Sequence, residues 1–263
     1  WLEKISRIKV NTMKKDVFNL TKPQNSIYLS EQFNKTPINN IVGTMYFKKD
    51  IDISLLEKAV NLTVKNNQAM RTVLINSGDT PMQYFEDFSY FDIAVHNFSD
   101  KTMDDFRDFQ MNFSQEIFDI YENYLFQFVI CILPNDEIAL IGKFHHLITD
   151  AWSLGLIIDN IAINYTKLFN NLEISENLGL YSDFIKREQD CLASSNYDKN
   201  KDFWKKALED IEPVSLKNVS SESYLSNRIE FTFSLEESKL INDFCKQNHI
   251  SAYVLFLTIL NIY

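Results

Sequence analysis

Apolar residues recur at intervals of three and four in some segments and form alternating or continuous runs in others. The first pattern predicts amphipathic helices, and the second, where β-branched and aromatic residues dominate, predicts strands. The expected helices cover 24–34, 54–66, 102–115, 151–170, 180–193 and 198–209, with another beginning at Ser234. The expected strands cover 40–48, short pieces within 72–96, then 124–133, 137–145 and 228–233.

Two of the expected helices begin with a capping signal. Ser54 with Glu57, and Ser234 with Glu237, have the three-residue spacing of a capping box. The uncharged run 250–263 is shorter than the roughly 20 apolar residues that span a membrane. It therefore predicts a buried core helix.

A hairpin of buried strands forms the centre of the expected fold. The apolar runs 124–133 and 137–145 flank the turn residues 134–136, and the helix predicted over 151–170 follows the second run directly. Because strands and helices alternate throughout, the fold class is α/β or α+β. The polar stretch 171–178 is the expected internal boundary.

Composition excludes several classes of protein. The 263 residues are 45% hydrophobic and 24% charged, which is enough apolar material for a sizeable core. A formal charge of −10 with scattered basic residues excludes a nucleic-acid partner. The five glycines are too dispersed for a phosphate-binding loop.

The cysteines indicate a reducing compartment. Cys131, Cys191 and Cys245 contain no CxxC pair, which argues against a disulfide framework and a zinc ribbon. No signal segment opens the chain, so we expect a cytoplasmic protein. Since the chain begins at Trp1 and stops within an apolar run, we also expect it to be an excerpt of a longer protein.

Two adjacent histidines carry the candidate chemistry. His145 and His146 end a predicted strand, so their side chains should point in different directions. His146, at the entrance to the next loop, is placed to act as a general base; the alternative is that both histidines are buried and hydrogen-bonded. Asp150 directly precedes the next helix and suits an N-cap. These residues do not supply the ligands of a metal site, and no GxSxG elbow is present.

The run HHLITDAWS resembles the HHxxxDGWS motif of condensation domains from nonribosomal peptide synthetases, in the chloramphenicol-acetyltransferase-like superfamily. Trp152 and Ser153 occur in the order typical of peptide-forming members. Segment 65–72, with Arg71 and Thr72 retained, is similar to the family's RHExLRT motif. Segment 181–184 is similar to its YxDF motif, and Gln24 with its neighbours weakly matches the opening motif.

The resemblance implies an α/β sandwich with a mixed sheet flanked by helices, followed by a similar but truncated second lobe. Residues 1–172 would form the N-terminal lobe with the HHxxxD motif, and 173–263 the connection and the beginning of the C-terminal lobe. The family reaction joins donor and acceptor thioesters in an amide bond. Donor and acceptor carrier domains would present them on phosphopantetheine, beside an adenylation domain, and this chain would bind no cofactor, metal, nucleic acid or membrane.

The resemblance also implies a role for each motif residue. His146 would be catalytic, while His145 and Asp150 would be architectural, with Arg71 as the expected partner of Asp150; breaking such a buried pair would cost about 3 to 5 kcal/mol. The alternative for Arg71 is an exposed, solvated charge. Ala151 replaces the family's glycine. This is harmless if the backbone there is helical, whereas transfer would be slowed or the substrate range narrowed if the channel needs the space.

Two other functions stay open at this stage. One is a stand-alone acyltransferase of the same superfamily that uses an acyl-CoA donor. The other is a degenerate, non-catalytic member that only recruits partners.

Overall fold

The computed structural model describes residues 15–33, 36–48, 50–76, 80–135, 137–174, 179–212 and 229–262. Its helices are α1 (Lys22–Phe33), α2 (Ile53–Asn66), α3 (Met103–Gln115), α4 (Ala151–Phe169), α5 (Tyr181–Leu192), α6 (Ser195–Ala207), α7 (Leu235–Gln247) and α8 (Ala252–Ile262). Its strands are β1 (Phe18–Asn19), β2 (Asn40–Phe47), β3 (Thr72–Asn76), β4 (Pro81–Phe85), β5 (Ala94–Asn97), β6 (Phe126–Ile132) and β7 (Ile138–His145). The alternation of strands and helices confirms the predicted fold class.

Two sheets organise the first of two compact units, Trp1–Ala207. The larger sheet has the order β2-β7-β6-β5 and is mixed, because β5 and β6 are parallel while the other pairs are antiparallel. The smaller sheet is antiparallel, with the order β1-β4-β3. The predicted hairpin is the β6–β7 pair at the middle of the larger sheet.

Strand β7 is buried along its whole length because both of its faces are covered. Leu140 and Phe144 belong to a cluster that includes residues of α2 and α4. Ala139 and Ile141 belong to a second cluster that includes residues of α3. This two-sided burial explains why β7 forms a continuous apolar run in the sequence.

Close packing at the middle of β7 requires a glycine. A Cβ atom on Gly142 would lie 2.8 Å from the Phe144 ring and 3.0 Å from the Phe128 ring. Those two rings meet edge to face, with centroids 5.4 Å apart. Gly142 therefore leaves room for an aromatic pair on the face that packs against α4.

The N-terminus of α2 differs from the sequence prediction. Asp52, rather than Ser54, is the N-cap, and its carboxylate accepts hydrogen bonds from the N–H groups of Ser54 (2.8 Å) and Leu55 (3.1 Å). Glu57 does not close a capping box, because its carboxylate instead accepts from the N–H of Ile93 at 2.9 Å. Tertiary contact thus overrides the local capping signal.

Helix α5 belongs to the first unit, where it contacts the segment before β3 and the end of β4. The Ser182 N–H donates to Oε1 of Gln68 at 2.9 Å, and the Tyr181 ring meets the Phe85 ring edge to face at 6.0 Å. The first unit consequently extends through α5 and α6, beyond the boundary that the polar stretch predicts. The assignment of lobes to 1–172 and 173–263 stays a prediction.

The second unit, Leu208–Tyr263, contains α7 and α8. The predicted capping box of Ser234 and Glu237 is confirmed at the start of α7. The strand prediction for 228–233 is wrong over its described residues 229–233, which form no ladder; residue 228 lies outside the described residues. A strand needs a partner, and no other strand is present among the described residues of this unit.

The terminal apolar run forms α8, as predicted, but the expectation of a buried core helix is wrong. None of the residues of α8 is buried. The described part of this unit has only α7 and short extended segments with which to cover it. Among the described helices, none is both long and apolar enough to cross a membrane.

Candidate functional site

The two adjacent histidines lie where β7 ends and the chain turns toward α4. We call residues 145–148 the histidine turn. The N–H of His145 donates to the Leu125 carbonyl, and the N–H of His146 donates to the Asn39 carbonyl, each at 2.8 Å. Neighbouring segments on both sides thus fix the backbone that carries the two imidazoles.

His145 is a structural group inside the protein. Its side chain is 2% exposed, and its Nδ1 accepts a hydrogen bond from the N–H of Leu147 at 3.1 Å. An accepting Nδ1 leaves the proton on Nε2, and Nε2 lies 3.5 Å from a carboxylate oxygen of Glu31. Burial lowers the pKa of His145, although the Glu31 carboxylate opposes this shift, so the imidazole is neutral.

His146 lies in the turn after β7 and has different surroundings from His145. Its side chain is half-buried. Its Nδ1 is buried without a hydrogen-bond partner among the residues that the structure describes. The alternative in which both histidines are buried and hydrogen-bonded therefore does not describe His146.

Asp150 is the N-cap of α4. Its Oδ1 accepts a hydrogen bond from the N–H of Ser153 at 2.7 Å, and its carbonyl accepts from the N–H of Leu154 at 2.9 Å. The bond from Ser153 lowers the pKa of the Asp150 carboxyl, and the side chain is exposed. The N-cap interpretation accounts for the contacts of Asp150.

Arg71 contacts a different part of the first unit. It is half-buried, and its Nη1 donates to the carbonyl of Glu86, the residue after β4. No ion pair joins Arg71 to Asp150 in the described parts of the chain, so the pairing that the resemblance implies is not formed here. The physical reason is that Asp150 turns toward its own helix while Arg71 reaches the end of β4.

The remaining motif residues begin α4. Ala151 is the first residue of the helix, and its φ angle is not positive, so alanine adopts this backbone without strain. Trp152 is 79% exposed, whereas Ser153 is half-buried and contributes its N–H to the cap. The backbone at Ala151 is thus helical, and the effect of its methyl group on a substrate channel stays a prediction.

Polar side chains of α1 also reach the histidine turn, and the sequence motifs do not reveal this. Gln24 donates to the Leu147 carbonyl at 3.1 Å, and Glu31 faces His145. Within the described residues, no group of three or more His, Cys, Asp or Glu side chains is arranged to hold a metal ion.

Comparison with known proteins decides the family. The model of the condensation domain family matches residues 14–263. The chain belongs to the condensation domain family. The family resemblance seen in the sequence is therefore confirmed.

The chain is similar to parts of peptide synthetases. It is 25% identical over 252 residues to a plipastatin synthase protein of Bacillus subtilis, covering 93% of this chain and 10% of that protein. It is 28% identical over 259 residues to surfactin synthase subunit 1 of the same organism, covering 94% and 7%. The chain thus spans a tenth or less of the length of these relatives.

Solved condensation domains share the fold. The first condensation domain of the calcium-dependent antibiotic synthetase, in complex with a substrate analogue, matches with a TM-score of 0.74 at 15% identity over 90% of this chain and 58% of that one. A mutant of the starter condensation domain of rhizomide synthetase RzmA, in complex with C8-CoA, matches with a TM-score of 0.70 at 18% identity over 78% and 48%. The chain spans about half of each, and the predicted chloramphenicol-acetyltransferase-like architecture is confirmed.

Proposed function

We propose that this chain supplies the histidine-bearing part of a condensation domain that joins a donor acyl or peptidyl thioester to an acceptor aminoacyl thioester. The position of His146 carries the proposal. It directly follows the central strand β7, its backbone is fixed by Asn39, and its Nδ1 has no protein partner among the described residues. An imidazole nitrogen with a lone pair can accept a hydrogen bond or a proton from a substrate amine.

In the proposed reaction, the α-amine of the acceptor attacks the donor's thioester carbon. The new C–N bond forms, the C–S bond breaks, and the donor thiolate leaves and takes up a proton. His146 accepts the proton that the attacking amine loses, or holds the amine in line for attack. General-base work contributes roughly 10² to 10⁴ in rate, and positioning alone can contribute as much.

The other motif residues have architectural roles in this proposal. His145 supports the turn from inside through Leu147, and Asp150 starts α4 so that the turn ends at a fixed place. Donor and acceptor carrier domains bring the phosphopantetheine-bound substrates, with an adenylation domain in the same assembly. The synthetase relatives, of which this chain covers a tenth or less, are long enough to contain such domains. A cytoplasmic location stays a prediction from the cysteines.

The complete domain, supplied with separately loaded donor and acceptor carriers, tests the proposal. Mass spectrometry of the acceptor carrier should show the mass of the transferred acyl or peptidyl group. Product that forms only when an acyl-CoA replaces the donor carrier would refute the carrier-bound donor and favour the acyl-CoA alternative. Carrier binding without any product would refute catalysis and favour the partner-recruiting alternative.

A further inference from the structure

Helix α1 buries polar side chains where a helix normally buries apolar ones. Of its 12 residues, Gln24 and Glu31 are the buried ones, at 3% and 7% exposure. They are seven residues apart, which places them two turns apart on the same face. Burying an amide and a carboxylate is unfavourable unless their polar atoms find partners, so the partners indicate what this face of α1 does.

The amide of Gln24 uses its full hydrogen-bonding capacity. Its Oε1 accepts from the N–H of Thr21 (2.9 Å) and from Nε2 of Gln83 (2.8 Å). Its Nε2 donates to Oε1 of Gln83 (2.9 Å) and to the carbonyl of Leu147 (3.1 Å). Leu147 directly follows His146, so Gln24 holds the backbone on the C-terminal side of the candidate catalytic residue.

The carboxylate of Glu31 acts on the other side of the same residue. Its Oε2 accepts a hydrogen bond from Nδ2 of Asn39 and faces Nε2 of His145 at 3.5 Å. The carbonyl of Asn39 in turn accepts the N–H of His146 at 2.8 Å. Glu31 therefore bears directly on His145 and indirectly, through Asn39, on the backbone of His146.

We propose that Gln24 and Glu31 are positioning residues through which α1 sets the direction of the His146 side chain. The inference rests on the proposed role of His146. Gln24 bonds the carbonyl of Leu147, one residue after His146. Glu31 bonds the side chain of Asn39, whose carbonyl accepts the His146 N–H. Because a reacting group must be held in a near-attack geometry, loosening either side should lower the rate of the chemical step more than the binding of carriers.

The first test removes the Gln24 amide in the complete domain. Gln24→Leu leaves the buried Leu147 carbonyl without its donor and also removes the Gln24 bonds to the Gln83 amide and the Thr21 N–H. Gln32→Leu makes the same substitution at an exposed position of the same helix. We expect Gln24→Leu to speed amide hydrogen exchange at His146 and Leu147 by about tenfold or more. It should also lower kcat by about tenfold to a hundredfold with little change in KM, and Gln32→Leu should do neither.

The second test separates the acceptor oxygen of Glu31 from its charge. Glu31→Leu leaves Nδ2 of Asn39 without its acceptor and removes the carboxylate that lies 3.5 Å from Nε2 of His145, while Glu31→Gln keeps an oxygen that can accept from Asn39. We expect Glu31→Leu to lower kcat like Gln24→Leu and to alter the nitrogen resonances of the His145 ring, which report its tautomer. Glu31→Gln should restore most of kcat and the wild-type resonances.

The readouts distinguish failure of this inference from failure of the proposed function. Wild-type exchange and wild-type kcat in folded Gln24→Leu and Glu31→Leu variants would overturn the inference. Hydrogen exchange needs no substrate, so it can be measured whether or not the domain is active. A wild-type domain that makes no amide would refute the proposed function. Faster exchange in its Gln24→Leu variant would still support the control of the turn by α1. Should Gln24→Leu not fold, the comparison of Glu31→Leu with Glu31→Gln decides.

Discussion

Replacing Asp150 by alanine distinguishes an N-cap from a buried ion pair. The substitution removes the oxygen that accepts the Ser153 N–H at 2.7 Å. Loss of an N-cap costs about 0.5 to 2 kcal/mol. Because Asp150 is exposed, water can bind the released N–H, and we expect Asp150→Ala to lower the free energy of unfolding by about 1 kcal/mol. Loss of a buried pair with Arg71 would instead cost about 3 to 5 kcal/mol.

Urea unfolding of the complete domain measures the difference. The set comprises Asp150→Ala, Asp150→Asn, Arg71→Ala and the double variant Asp150→Ala/Arg71→Ala. Asn is as good an N-cap as Asp, so Asp150→Asn should stay within about 0.5 kcal/mol of wild type. The loss of unfolding free energy in the double variant should equal the sum of the losses in the two single variants within about 0.5 kcal/mol, because the two side chains share no partner.

A coupling energy of about 2 kcal/mol or more between the two positions would refute this reasoning. A loss of about 3 to 5 kcal/mol of unfolding free energy in Asp150→Ala, the range of a broken buried pair, would also refute it. Either result would mean that Arg71 leaves the Glu86 carbonyl and reaches Asp150 in solution, as the family resemblance implies.

Two further predictions concern β7. Gly142→Ala places a methyl group about 3 Å from two packed aromatic rings and should lower the free energy of unfolding by about 1 to 3 kcal/mol; unchanged stability would contradict the packing described. Burial lowers the pKa of His145, so the unfolded chain binds a proton there more readily, and stability should fall as the pH drops below about 6.5. His145→Asn, whose amide oxygen can replace Nδ1, should reduce that loss between about pH 7.5 and pH 5; an unchanged pH dependence would assign it to other groups.

The parts of the fold that sequence predicts well are long and periodic. The 19 residues of α4 and the hairpin of β6 and β7 carry many consecutive positions of one pattern, so a shift of one or two residues does not obscure them. The histidine turn is equally readable, because a polar pair at the end of an apolar run is conspicuous. The two histidines have different surroundings because His145 is the last residue of β7 and His146 is the first residue of the turn that follows it.

Features that depend on tertiary contacts could not be predicted from the local sequence pattern. The spacing of Ser54 and Glu57 is a valid local signal, but Ile93, distant in sequence, draws Glu57 away. An arginine that follows a helix does not reveal whether it faces Asp150 or Glu86. The exposure of α8 depends on what covers it rather than on its own residues.

The roles of Gln24 and Glu31 illustrate the same limit. A helix with two buried polar residues resembles a weakly amphipathic segment, and its sequence does not say which backbone groups it will meet. Only the fold brings Leu147, 123 positions away, to the amide of Gln24. The sequence signal for this face is the seven-residue spacing of Gln24 and Glu31, with the partly buried Ile27 and Tyr28 between them.

The single-turnover rate of amide formation tests the central claim most directly. The complete domain, with both carriers loaded, is compared with His146→Ala, and equal urea midpoints establish that the variant is folded. Because the backbone bonds of the turn do not need the imidazole, we predict an intact fold and a rate lowered by about 10² to 10⁴. A folded His146→Ala domain with a rate within about twofold of wild type would contradict the account.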